Sequence, residues 1–273
     1  MAKKALDKSM MELNPYCSNS PLDLKRNNQF EKFITSLKSL FIYDIFVKNR
    51  LVLAGGSLVR MYEGQNYLTI HDYDFYFKEK KYIQQLLNDI DNYNILHKNN
   101  KFELLNKTKN AYTFTLGNFT FQFIVLREMI NIYPQKIISY FDFSICQIAY
   151  DFEFDDVECS DIWRDDMDTK TITFNTNTLY PLSSLVRLDK YIQRGYTMRT
   201  ISKLSLALTI SQLNIKTYSD AGEQMNGVST AILQGFAELL MSDEYKNKKF
   251  NVEEFIKLYN EYFEMLETLE ELN

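Results

Sequence analysis

Two histidines and three cysteines in 273 residues leave little room for several kinds of chemistry. With only His71 and His97, histidine-built metal sites and histidine-driven catalytic triads are nearly excluded. Cys17, Cys146 and Cys159 are an odd, sparse set without paired spacing, which argues against a disulfide framework and against a zinc site. A reducing cytoplasm fits such cysteine usage best. No apolar run approaches the ~20 residues of a membrane span, so no membrane partner is expected. The opening MAKKALDKSMMEL has lysines but no apolar stretch behind them, and no secretory signal is expected. Basic charge is also short: the net charge is −5 and the pI about 5.3. That weakens any reading as a broad nucleic-acid binder, which is mostly an electrostatic property, while leaving room for a local basic groove. Catalysis, if present, rests on carboxylates, a metal, Arg, Lys or hydroxyls.

Hydrophobic residues make up 45% and charged residues 25%, the proportions of an ordinary globular chain long enough for one large domain or two small ones. Richness in Asn, Lys, Ile and Tyr suits an AT-rich genome such as that of a phage or virus. Residues 1–25 are polar and contain Asn14-Pro15 and Ser20-Pro21, an irregular arm. Phe30, Phe33, Ile34, Leu37, Leu40, Phe41 and Ile45 recur every three or four positions and predict one amphipathic helix from about 26 to 47. A strand at 51–54, a helix at 57–63, a strand at 72–77 and a helix at 80–91 follow. NILHK, KFELLNK, NAYTFTL and NFTFQFIVL then read as strands, with a hairpin turn at Leu116-Gly117-Asn118. A short helix is expected at 134–140, an extended segment in FDFSICQIAYDFEF, and irregular or edge-strand chain over 151–178. Helices are expected from 182 onward, at 199–213, at 219–244 and at 252–272. The partition is an irregular arm (1–25), a mixed α/β head (26–178) and a helical domain (182–273): an α+β fold.

The stretch LVLAGGSLVRMYEGQNYLTIHDYDFYF, residues 51–77, carries the chemistry. Strand side chains alternate faces, so Asp72 and Asp74 point the same way. Two carboxylates on one strand face are a ligand pair for Mg²⁺, a hard cation that prefers oxygen. Gly55, Gly56 and the helix start at Ser57 offer backbone N–H groups suited to phosphate. Together they point to metal-assisted handling of a nucleoside triphosphate. The plainer reading is a turn made by glycines and aspartates capping a sheet edge. Arg60 and Arg127 are placed to reach phosphates or to form surface ion pairs. Arg187 and Lys190 lie a helical turn apart, positioned for a triphosphate or an acceptor phosphate. His71 reads as structural, and Cys146 as a small buried hydrophobe.

The order strand–GGS–helix–DYD strand resembles the polymerase-beta-like nucleotidyltransferase fold. LAGGSLVRMYEG…HDYDFYF is similar to the opening of class II tRNA CCA-adding enzymes and bacterial poly(A) polymerases. DFSICQIAYD, from Asp142 to Asp151, resembles that family's DFTINAIAYD motif. Leu185-Val186-Arg187-Leu188-Asp189-Lys190-Tyr191 with Gly195-Tyr196 resembles, loosely, its RxLRAxRFAxxLGF helix. The likeness covers about residues 50–197 and implies a nucleotidyltransferase-fold head with a C-terminal helical domain. Four departures accompany it. Tyr140 and Phe141 stand where the family has two arginines, and Gln122 where a third strand carboxylate is expected. Arg60-Met61 replaces Arg-Asp, and SSLVR keeps only the arginine of EDxxR.

What the resemblance implies is transfer of a nucleoside monophosphate from an NTP, ATP among them, to an acceptor hydroxyl. Asp72 and Asp74 would be the catalytic pair and hold one or two Mg²⁺. Gly55, Gly56, Ser57, Arg60, Asp142, Arg187 and Lys190 would bind the nucleotide. The acceptor implied is an RNA 3′ end, most naturally tRNA; a protein or small molecule is a variant of the same chemistry. The alternative, favoured by Gln122 and the missing arginine pair, is an inactive relative that binds a nucleotide, RNA or protein partner, or serves in a phage or virus assembly.

Overall fold

The computed structural model describes residues 22–108, 110–126, 132–225 and 231–271. The chain divides between Thr169 and Lys170 into two compact units. That division precedes the expected end of the head at 178, because Thr171–Ile172 pairs with Thr197–Met198 rather than with the large sheet.

In the first unit, helix α1 (Asn28–Ser39) is capped by Asn27, whose side chain accepts from Gln29 N and Phe30 N. The single helix expected from 26 to 47 is two. Phe41 takes a left-handed φ of 60°, and α2 (Tyr43–Lys48) starts afresh behind it. Strand β1 (Leu51–Ala54) is buried throughout. Gly55, at φ 83°, turns the chain into α3 (Gly56–Tyr62), and β2 (Tyr73–Phe77) follows. Helix α4 (Lys81–Leu96) runs past the expected 91. NILHK is thus no strand: Leu86, Ile90 and Tyr93 continue the buried helical stripe, while Ile95 and Leu96 face solvent. Strands β3 (Glu103–Lys107), β4 (Ala111–Leu116) and β5 (Phe119–Ile124) form the expected meander. Helix α5 (Pro134–Ile138), β6 (Ile148–Asp151) and β7 (Asp156–Cys159) come next. Only the second part of FDFSICQIAYDFEF is a strand, since Ser144–Cys146 coils into a 3₁₀ turn. Helix α6 (Trp163–Asp168) fills part of the stretch expected to be irregular.

The seven strands lie in the order β3-β4-β5-β2-β1-β6-β7, with β2–β5 parallel and the other pairs antiparallel. One face is aromatic. Phe46 of α2 sits against Phe75, Phe121, Phe123 and Phe152 with ring centroids 4.7–6.0 Å apart, and Phe33 of α1 stacks on Tyr73 at 4.6 Å. Burial of such rings stabilises the unit by roughly 1.5–3 kcal/mol per side chain. The alternate positions face the other way and carry Asp74, Tyr76, Thr113, Thr115, Thr120 and Gln122.

The second unit has a small parallel pair, β8 (Thr171–Ile172) with β9 (Thr197–Met198), and five helices among its described residues. These are α7 (Pro181–Gln193), α8 (Thr200–Ser211), α9 (Tyr218–Glu223), α10 (Ala231–Leu240) and α11 (Val252–Glu271). The helix expected over 219–244 is thus α9 and α10, with 226–230 between them outside the described residues. Tyr218, Ala221, Phe236 and Leu240 form the core. No helix among the described residues is long and apolar enough to cross a membrane.

Candidate nucleotide site

The sequence GGS makes a turn that L-residues would resist. Gly55 has φ 83° and ψ −138°, a region favouring glycine, and a Cβ there would lie 3.4 Å from the Phe141 ring. A Cβ on Gly56 would meet nothing within 4 Å, so the space above the turn is open. Gly55 N donates to Ile148 O at 3.0 Å, tying the turn to β6. Ser57 is 4% exposed, and its Oγ has no hydrogen-bond partner among the described residues. A buried hydroxyl without a partner is costly in a finished structure and fits a site that takes a polar ligand.

Strand β2 begins at Tyr73, not 72: Asp72 is the exposed residue just before it and Asp74 is the half-buried second residue. Leu53 pairs with Phe75, so Ala54 and the glycine turn run beside Asp74. On its other side Asp74 pairs with Gln122 of β5. The amide expected in place of a third carboxylate therefore stands directly beside the aspartate. No group of three or more His, Cys, Asp or Glu among the described residues could hold a metal.

The DFS segment borders the turn on the Gly55 side. Phe141 packs on Gly55 and lies 5.9 Å from the Tyr76 ring. Asp142 is buried at 4% exposure. Gln147 Nε2 donates to Phe141 O at 3.2 Å. Ser144 Oγ donates to the fully buried Asp166, and Trp163 Nε1 donates to Ile145 O at 2.9 Å, so α6 anchors the segment. Arg60 closes α3, and its charge acts on the Tyr73 hydroxyl. Burial raises that hydroxyl's pKa and Tyr67 adds to the effect; Arg60 opposes both. His71 is exposed before β2, and Cys146 is buried as expected.

Gly55, Gly56, Ser57, Arg60, Asp72, Asp74 and Asp142 all belong to the first unit, in which the glycine turn runs beside Asp74 and the charge of Arg60 acts on the Tyr73 hydroxyl. Arg187, half-buried, and Lys190, exposed, are on α7 in the second unit. Arg127 lies outside the described residues.

Sequence reasoning missed two features. Lys78 is nearly buried and contacts Asp151 at 2.6 Å and Glu153 at 2.9 Å, with Phe154 beneath its ammonium. The second is a row of polar side chains. Asp74, Gln122, Thr113 and Asn106 stand in register across β2, β5, β4 and β3. A parallel row runs Thr120, Thr115 and Glu103, with Asp72 at its head. The signal was the polar half of the alternation in NAYTFTL and NFTFQF.

A family model described as "Gabija anti-defense 2 family protein" matches residues 25–170. The chain belongs to the Gabija anti-defense 2 family. A curated member, "Gabija anti-defense 2" of Bacillus phage SPbetaL7, is 25% identical over 234 residues. The match covers 84% of this chain and 53% of the relative, so the chain spans about half the relative's length. Among solved structures, a CCA-adding enzyme with ATP superposes with a TM-score of 0.53 at 14% identity, over 92% of this chain and 54% of that one. A Thermotoga maritima CCA-adding enzyme complexed with tRNA gives 0.50 at 13% identity, over 84% and 54%. These likenesses show a nucleotidyltransferase fold, α+β with a mixed-sheet head, in a member of a family that includes a phage protein.

Proposed function

We propose that this member of the Gabija anti-defense 2 family is a Mg²⁺-dependent nucleotidyltransferase acting in the cytoplasm. It moves a nucleoside monophosphate from an NTP, ATP among them, to an acceptor hydroxyl. The observation that carries the reading is one local unit. β1, the Gly55-Gly56 turn and β2 set Asp74 beside an open turn that holds the partnerless Ser57 hydroxyl.

The residues fit the metal. Mg²⁺ takes one or two carboxylates and completes its shell with substrate phosphates and water, so Asp72 and Asp74 suffice without a third acid. Bound there, Mg²⁺ supplies charge neutralisation at the phosphates and lowers the pKa of the acceptor hydroxyl. Ser57 Oγ and the backbone N–H of Gly56 donate to phosphate oxygens, while Gly55, whose N–H is taken by Ile148 O, shapes the turn that presents them. Asp142 faces the sugar or base beside the turn. Arg60 supplies positive charge to the triphosphate from within the same unit. Catalysis here is positioning and charge stabilisation, which a chain with two histidines can deliver. The fold supports an RNA 3′ end, and tRNA in particular, as an acceptor for first trial. The family description supports a role against the defence it names.

A second reading has its own observation. Gln122 beside Asp74, and Phe141 where the CCA-adding enzymes that the sequence resembles have arginine, favour a chain that binds a partner without turnover. The test is incubation with each α-³²P-labelled NTP, Mg²⁺, total RNA and a protein fraction, with Asp72→Asn/Asp74→Asn alongside. Label in either fraction that vanishes with the double variant is the expected result. No label from the native chain, with nucleotide binding intact, selects the second reading.

A further inference from the structure

We propose that two copies of this chain pair through their second units, α8 of each copy lying along α11 of the other. The pairing is independent of the nucleotidyl-transfer reading and uses none of its residues.

Helix α8 is apolar on both sides. Ser202 and Leu206 are its buried residues, whereas Ile201, Leu204 and Leu208 are more than half exposed. At 3.6 residues per turn those three fall in one sector, pointing away from the Ser202–Leu206 side. Apolar side chains scattered singly over a surface need no explanation, but a continuous line of them marks a contact face. A helix that is hydrophobic all round is one that is covered all round.

Helix α11 carries a second such face. Phe255, Leu258 and Tyr262 pack on the core around Phe236 and Leu240. Beside them runs the line Val252, Ile256, Tyr259 and Phe263, in which Val252 and Ile256 are more than half exposed. Tyr259, Asn260, Phe263 and Glu264 line a shallow hollow of about 340 Å³ on this face.

The two lines match in spacing and length. From Ile201 to Leu208 the steps are three and four residues, and from Val252 to Phe263 they are four, three and four. Alternating steps of three and four make the seam along which helices set side chains into one another's hollows. Helix α8 has 12 residues and spans about 18 Å, the same reach as the α11 line.

Charge selects the partner. From 199 to 216 the chain has Arg199, Lys203 and Lys216 and no carboxylate. Helix α11 has seven glutamates and one lysine, Lys257, which lies 3.6 Å from Glu261 of its own helix. Two α8 helices side by side would set like charges together, and so would two α11 helices. Only α8 on α11 sets basic against acidic, with Glu253 and Glu264 bordering the α11 line as counterparts to Lys203. Both helices belong to one compact unit, yet each leaves its face exposed, so the contact is not made within a chain. A second copy supplies both faces at once. A two-fold axis then makes the contact twice, α8 to α11 and α11 to α8, and closes the assembly at two copies. The doubling brings it toward the about 20–30 residues a side of a stable interface.

The test is sedimentation velocity of the full chain from about 1 to about 100 µM, at low and moderate salt. A species of twice the 32.4 kDa chain mass is expected, weakening as salt rises. Leu204→Glu/Leu208→Glu on α8 and Val252→Lys/Ile256→Lys on α11 are each expected to weaken pairing at least about 100-fold, with native far-UV circular dichroism. An equal mixture of the two variants is expected to recover the dimer. It joins one native contact to one in which the introduced glutamates meet the introduced lysines. A native chain that stays monomeric at the highest concentration overturns the proposal. So does a dimer that Val252→Lys/Ile256→Lys leaves intact, which would place α8 on α8, or a mixture that stays monomeric.

Discussion

At the scale of single residues, this head carries more charge beneath its surface than its composition announces. Lys78 and Asp151 have side chains 7% and 3% exposed and meet at 2.6 Å, with Glu153 as a second partner that also binds Arg50 at 3.0 Å. A pair so desolvated contributes little over an apolar pair, yet breaking it strands a buried charge. Lys78→Ala is expected to cost about 3–5 kcal/mol in urea unfolding. Glu158 shows the opposite sign. Burial raises its carboxyl pKa from 4.5; a hydrogen bond from Gln135 opposes this, and Asp156 and Asp151 add to it. The folded state therefore holds a proton that the unfolded chain has released once pH passes 4.5, and stability falls as pH rises from there through the raised folded value. Glu158→Gln is expected to melt higher than the native chain near neutral pH and level with it below that window, as scanning calorimetry at the two pH values will show. Neither feature was legible in the sequence. Lys78 and Asp151 are distant in the chain, and only the β2–β1–β6 adjacency brings them together. Asp74 and Gln122 were legible because each lies within an aromatic alternation that fixes the strand face.

At the scale of elements, legibility tracked periodicity. β1 is buried at every position and β5 alternates strictly, so both were readable from pattern alone. Helix α6 was not. It has six residues, three of them aspartate, and it exists because Trp163 and Asp166 are held by Ile145 and Ser144. The end of α4 was misread because Ile95 and Leu96 look like strand residues, although tertiary burial of Tyr93 prolongs the helix. In the second unit, α9 is set by a capping box. The Thr217 hydroxyl accepts from Asp220 N at 3.2 Å, and the Asp220 carboxylate accepts from Lys216 N and Thr217 N at 2.9 Å each. Those backbone donors lower the Asp220 pKa. Thr217→Ala is expected to cost about 1 kcal/mol, read as a lowered melting temperature.

At the scale of the whole molecule, two compact units make a single unfolding free energy an unsafe assumption. The chain has one tryptophan, Trp163, and it lies in the first unit. Its fluorescence reports that unit alone, whereas far-UV circular dichroism reports helices of both. The two urea transitions are expected not to coincide; superposition would show one cooperative block. The β3 edge has a further consequence for the molecule among its own copies. Leu104 and Leu105 are 53% and 60% exposed on a terminal strand, the profile of a segment that recruits further strands. The kink between Leu104 and Asn106 breaks the regular spacing of donors and acceptors that an incoming strand would need. The same irregularity that aligns the polar rows thus ends the sheet, and keeps an apolar edge from seeding fibrils in a crowded cell.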